Sequence, residues 1–230
     1  MSMKLKILGM AALATMAIGA FAAMNAGATV SGHFITGSEH TFVTGFHAKN
    51  SEHELHFISE SGTSKIGCDV ATYSGTNKAS TKTATELTIT PGWDQCYTTP
   101  KEGEPEPKWG VDENECKLVF KSRALPEAND ATVTVTCPAG KSIKITHPSC
   151  EITVAPQTVG GSAGNGVTYT NKNDGTAFVT MDVKVSLAST YHNGICVFLG
   201  TSHTSTMEGS VTIKGYSDSA HTTRTAVSAT

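Results

Sequence analysis

The chain has 230 residues, with 17 Lys plus Arg against 20 Asp plus Glu and a net charge of −3. That balance lacks the basic excess a phosphate-binding surface requires, so nucleic acid is not expected as a partner. Charged residues make up only 16% of the chain, which leaves exposed faces to be built mainly from neutral Thr, Ser and Asn.

Lys4 and Lys6 precede an uncharged apolar run over residues 7–21, and Ala26-Gly27-Ala28 is a small-x-small site. This is the pattern of a cleavable export signal over residues 1–28, with a mature chain starting at Thr29. The run is diluted with Ala, Gly and Thr, short of the roughly 20 strongly apolar residues of a spanning helix. No later stretch is apolar enough to cross a bilayer. The mature chain is therefore expected to be secreted or at the cell surface, without a membrane span.

From residue 29 the pattern is one of short β-strands. Residues 30–36, 40–46 and 55–59 read as strands, and residues 65–75 with 84–91 as a hairpin. Residues 92–115 break the pattern with Pro100, Pro105, Pro107 and several acidic side chains, which predicts an exposed acidic loop. Residues 116–121 and 131–137 make a second hairpin. Pro138-Ala139-Gly140 turns into residues 142–146, and residues 150–154 continue the sheet. Residues 156–166 are Gly-rich and read as a hinge between possible subdomains. Residues 167–171, 178–187, 194–199 and 210–216 are further strands, and the polar tail after Ser217 is expected to fray. The long segment is the clearest: Val179, Met181, Val183, Val185 and Leu187 share one face, with Thr180, Asp182, Lys184 and Ser186 on the other. The expectation is a single all-β domain over residues 29–230, an antiparallel β-sandwich or partly closed barrel stapled by disulfides.

An even count of six cysteines in an exported chain points to disulfides. Six cysteines allow fifteen connectivities, and sequence alone does not choose among them. The hairpins suggest Cys68 with Cys96 and Cys116 with Cys137, which leaves Cys150 with Cys196. There is no Cys-x-x-Cys pair and no compact Cys/His set with zinc spacing.

Five of the nine histidines, His33, His40, His47, His53 and His56, fall in the first mature strands. Three converging imidazoles would suit zinc or copper. His53 and His56 lie an odd number of positions apart, so a regular strand turns them to opposite faces; solvated histidines are the default reading. The acidic loop lacks the alternating ligand spacing of a calcium loop. Trp93, Tyr97 and Trp109 flank it, as rings that stack on sugars or as core. The Gly-x-Ser-x-Gly spacing of Gly160-Gly161-Ser162-Ala163-Gly164 lies in the Gly-rich stretch between strands with no helix after it, so it is not a nucleophile elbow; there is no Ser-x-x-Lys and no His-Glu-x-x-His, since His53-Glu54-Leu55-His56 is one residue short. No cofactor is expected.

Gly67-Cys68, Ala71-Thr72-Tyr73-Ser74-Gly75-Thr76, the run from Cys137 to Thr146, the run from Cys150 to Val154 and Gly209 to Tyr216 together resemble a set of exported actinobacterial proteins without an assigned function. The resemblance spans about residues 56–216. It implies export, bacterial origin and a disulfide-bearing β fold, and it carries over no site. The acidic insert before Cys116 and the His-rich start depart from that set. The favoured reading is a non-catalytic extracellular or cell-surface binding or structural module, with cell wall or carbohydrate as the partner class. A secreted hydrolase with a dispersed site and a histidine-dependent metal-binding protein are the alternatives.

Overall fold

The structure, a computed structural model, describes residues 33–37, 41–48, 56–59, 65–77, 82–98, 108–122, 131–192, 196 and 204–229. Among these residues the chain forms eighteen strands. They are β1 (Phe34–Thr36), β2 (Thr41–Ala48), β3 (His56–Ser59), β4 (Lys65–Asn77), β5 (Thr83–Ala84), β6 (Glu86–Thr98), β7 (Lys108–Asp112), β8 (Lys117–Lys121) and β9 (Thr132–Thr136) in the first part. β10 (Ile143–His147), β11 (Cys150–Val154), β12 (Gln157–Gly160), β13 (Gly166–Asn173), β14 (Ala177–Ala188), β15 (Thr190–His192), β16 (Thr204–Tyr216), β17 (Arg224–Thr225) and β18 (Val227–Ala229) follow. The alternation read in β14 is realised: Val179, Met181, Val183, Val185 and Leu187 are buried, and Asp182, Lys184 and Ser186 are exposed.

β4 and β6 are the long antiparallel pair at the centre, from Ile66 opposite Thr98 to Gly75 opposite Ile89. Beyond β4, two strands share one row end to end: β2 pairs with residues 70–77 and β3 with residues 65–67. Both also pair with β16, which pairs with β14, and β14 with β13. Beyond β6 the sheet forks. Residues 86–89 pair with β8, whereas Cys96 and Tyr97 pair with β7. One branch continues β8–β9–β12, the other β7–β10–β11–β15.

The first branch curls back to the opposite end of the sheet. Ala131 and Val167 exchange both backbone hydrogen bonds, at 3.1 and 2.9 Å, next to β9 and within β13. The result is a partly closed barrel with a short seam. Tyr169 reinforces the seam by donating its hydroxyl to the Lys121 carbonyl at 3.1 Å. Gly160 lets the backbones approach there: a Cβ on it would lie 2.7 Å from the Ala131 carbonyl oxygen. The Gly-rich stretch read as a hinge is built as β12 and a turn in which Ser162 and Asn165 exchange backbone hydrogen bonds.

Two expectations change. The strand β6 runs on through Pro91 and Gly92 to Thr98, where a loop was expected. Pro91 and Gly92 fall in the gap between the pairings with β8 and β7, where an irregular residue disturbs the ladder least. Residues 108–112 of the expected loop are β7, and residues 99–107 lie outside the described residues. The tail after Ser217 is also not frayed. β17 pairs with β16, and β18 pairs with β1, which pairs in turn with β5. These strands are two or three residues long, too short for alternation to register in sequence.

Three disulfides join Cys68 to Cys96, Cys116 to Cys137 and Cys150 to Cys196. The first links residues directly opposite each other on β4 and β6, and the second closes the β8–β9 hairpin. Such bridges fit an oxidising compartment. No helix among the described residues is long and apolar enough to cross a membrane.

Candidate functional site

The histidines singled out from sequence are not gathered by the described part of the fold. His33 lies just before β1. His47 sits opposite Ala71, and His56 opposite Gly67 on one side and Glu208 on the other. Ala71 and Gly67 are four positions apart on β4, roughly 13 Å along a strand. His40 and His53 lie outside the described residues. Among the described residues no three His, Cys, Asp or Glu side chains are grouped as metal ligands would be.

The aromatic platform also dissolves on inspection of burial. Trp93 and Trp109 are each only 5% exposed. Trp93 lies in β6, donating its indole N–H to the Tyr73 hydroxyl at 3.3 Å and its backbone N–H to the Glu113 carboxylate at 2.7 Å. Trp109 in β7 packs its ring 5.1 Å from that of His147. Both rings are core, because the strands β6 and β7 carry them inward where a loop would have left them outside. Tyr97, opposite Gly67 and Lys108, is half-buried.

Among the described residues the inner faces of the strands are closely packed. Tyr73, Leu118, Phe120, Val183, Met207 and Val211 converge on a cavity of about 10 Å³, the room of a single water. The polar Tyr73 hydroxyl in this setting has its pKa pushed well up by burial, against the opposing hydrogen bond from Trp93. It is a neutral, structural phenol. Near the end of β14, Ser189 and Tyr191 both hydrogen-bond the Ser205 hydroxyl at 2.9 Å. Ser189 and Ser205 are buried and Tyr191 is half-buried, and the trio contains no strong base.

What the fold does assemble is on the outside. Register sets Thr88, Val119, Thr134 and Thr158 side by side across β6, β8, β9 and β12. Ser74 lies opposite Thr90 on β4 and β6. Thr170 and Thr212 flank the buried Thr180 across β13, β14 and β16, with Thr168, Asp182 and Ser210 beside them. Neighbours in a row are about 4.8 Å apart, and successive rows about 6.7 Å apart along the strands. The Thr134 and Thr158 hydroxyls are 2.8 Å apart, and the Ser210 hydroxyl bonds the Asp182 carboxylate at short range. Ion pairs stand beside the rows, Lys121 with Glu86 at 3.3 Å and Lys144 with Glu151 at 3.3 Å. The result is an extended, nearly neutral hydroxyl surface. Sequence reasoning had the signal for it, alternate threonines in each strand, and lacked the register that lines the strands up.

Three amide side chains finish the sheet edges. Gln157 donates to the Ala188 carbonyl and accepts from its N–H, both at 2.8 Å. Asn171 does the same with Ala229, at 2.7 and 2.8 Å. Asn165 accepts from the Ser186 N–H at 3.0 Å. The chain matches no protein-family model, no curated protein and no solved structure.

Proposed function

We propose that this chain is an exported bacterial protein without catalytic activity, acting at the cell surface or outside the cell through the exterior of its barrel. The observation that carries this reading is the contrast between inner strand faces that are dry and apolar among the described residues and an outer face on which Thr88, Thr134 and Thr158 stand in register with Val119. A barrel that holds a small ligand inside leaves hundreds of cubic ångströms for it; among the described residues, the cavity lined by Tyr73 and Met207 has about 10 Å³. The outer rows offer hydroxyl donors and acceptors with little net charge, a surface matched in chemistry to a neutral cell-wall or other carbohydrate polymer. The export signal and the three disulfides support the same setting.

The test is co-sedimentation of the exported protein with isolated cell walls and with insoluble neutral glucan, after sequencing its N-terminus. A start at Thr29 and retention that survives high salt are expected, since screening weakens charge-driven binding and leaves neutral contacts in place. Thr134→Lys with Thr158→Lys, on the exposed face, should release the protein. Failure to sediment with any of these, or an uncleaved leader, would sink the reading.

A further inference from the structure

The small sheet β18–β1–β5 joins distant parts of the chain. Phe34 faces Ala229, Ile35 faces Ser228 and Thr36 faces Val227. Its inner side is dry, with Phe34, Thr36 and Val227 at 1%, 3% and 1% exposure. Backbone bonds of 2.8 Å run from the Thr36 N–H to the Lys82 carbonyl and from the Gly37 N–H to the Ala226 carbonyl. Asn171 on β13 clamps Ala229. The Phe34 ring meets Tyr169 edge-on at 5.2 Å, and Tyr169 is the residue whose hydroxyl crosses the barrel seam to Lys121. The sheet therefore lies directly on the seam. No disulfide ties β1 or β18, which lie outside the span from Cys68 to Cys196, whereas β5 lies within the Cys68–Cys96 loop.

We infer that β1 and β18 together are a latch over the barrel seam, opening as a unit while the disulfide-bounded strands, β5 among them, stay closed, and shutting only after β18 has been made. Pairing residues this far apart in sequence adds a loop-closure cost, so β1 joins β18 late in folding. Units of this size, held by few buried side chains and no covalent tie, open below the global unfolding free energy. Resting on the exported reading above, the latch has a use: a chain crossing a membrane must not finish folding, and the seam stays unlatched until the last strand is through.

Native-state hydrogen exchange on the full, disulfide-intact chain tests this. The Thr36, Gly37 and Ala229 amides should exchange together, at least about tenfold faster than the β4 and β6 amides. In Gly37→Ala the new Cβ would lie 2.2 Å from the Thr225 hydroxyl and 3.0 Å from the Ala226 nitrogen. That variant should speed the three latch amides and leave β4 and β6 unchanged, and Thr225→Ala in the same chain should recover part of the protection. Exchange of latch and barrel amides as one unit, or equal acceleration everywhere in Gly37→Ala, overturns the latch. Secretion of the wild-type chain is scored separately: a chain that is made but not exported removes the proposed use, and the exchange pattern still decides whether the latch exists.

Discussion

Gly160→Ala should be among the most damaging single-methyl additions in this protein, and its cost can be built from the seam. Gly160 has φ of 93°, outside the regions an L-residue adopts without strain, which costs roughly 1–3 kcal/mol. The added Cβ would also sit 2.7 Å from the Ala131 carbonyl oxygen and 3.2 Å from the Cα atoms of Gly166 and Thr132, all backbone. That oxygen accepts the Val167 N–H at 2.9 Å and so closes the barrel. Displacing it weakens a seam hydrogen bond worth about 1 kcal/mol net. Together the cost is roughly 2–4 kcal/mol, or about 5–15 °C in melting temperature for a domain of this size. Gly140 is the control, with φ of 73° and no atom within 4 Å of the Cβ position. Gly140→Ala bears only left-handed strain, about 1 kcal/mol. Urea unfolding followed by circular dichroism measures both. Equal losses in the two variants would refute the claim that the seam contact, beyond the dihedral, sets the cost.

Full reduction should lower stability by several kcal/mol, since bridges spanning 28, 21 and 46 positions each contribute about 3–4 kcal/mol by restricting the unfolded chain; thiol labelling of the denatured, unreduced protein should give no signal. The Asp218 carboxylate is held at a pKa of about 2 by the backbone N–H groups of Thr222 and Thr223, at 3.0 and 2.7 Å. A depressed folded pKa means its contribution is intact above the ordinary carboxylate value and is lost as pH falls from about 4 through about 2; an NMR titration midpoint in the ordinary range would contradict this. Micromolar zinc or copper should leave the melting curve unmoved, and a saturable, chelator-reversible rise abolished by His53→Ala or His56→Ala would make this a metal-binding protein instead.

Much of the architecture is legible in the residues. Alternation marks β14 because one of its faces is buried along the whole strand, and the hairpins β4–β6 and β8–β9 follow from strand length and loop position, which brings the cysteines opposite each other. The misreadings have physical causes. Gly92, just after Pro91, looks like the start of a loop because its tolerance depends on the fork in the sheet, a property of β7 and β8 and not of β6 itself. β17 and β18 are too short for a period to show, and their place is fixed by partners such as Asn171 and β1. The seam is a single bridge between Ala131 and Val167, and no local pattern announces it. The outer hydroxyl rows were visible strand by strand, but a row exists only once the register of four strands is known.

The three edge amides bear on how such a chain lives among copies of itself. Thr- and Val-rich strands have high β-propensity, and an unpaired rim of them is a template on which another molecule adds its own strand. At Ala188 and Ala229 the rim's N–H and C=O are already taken by the Gln157 and Asn171 amides, and at Ser186 the N–H is taken by Asn165. A primary amide carries one donor and one acceptor side in the same arrangement as a peptide unit, so one side chain does the work of a missing strand. Being short and attached, it cannot extend into a new ladder. At these positions the sheet ends inside the molecule that made it, and the rim offers no free ladder there for a further strand.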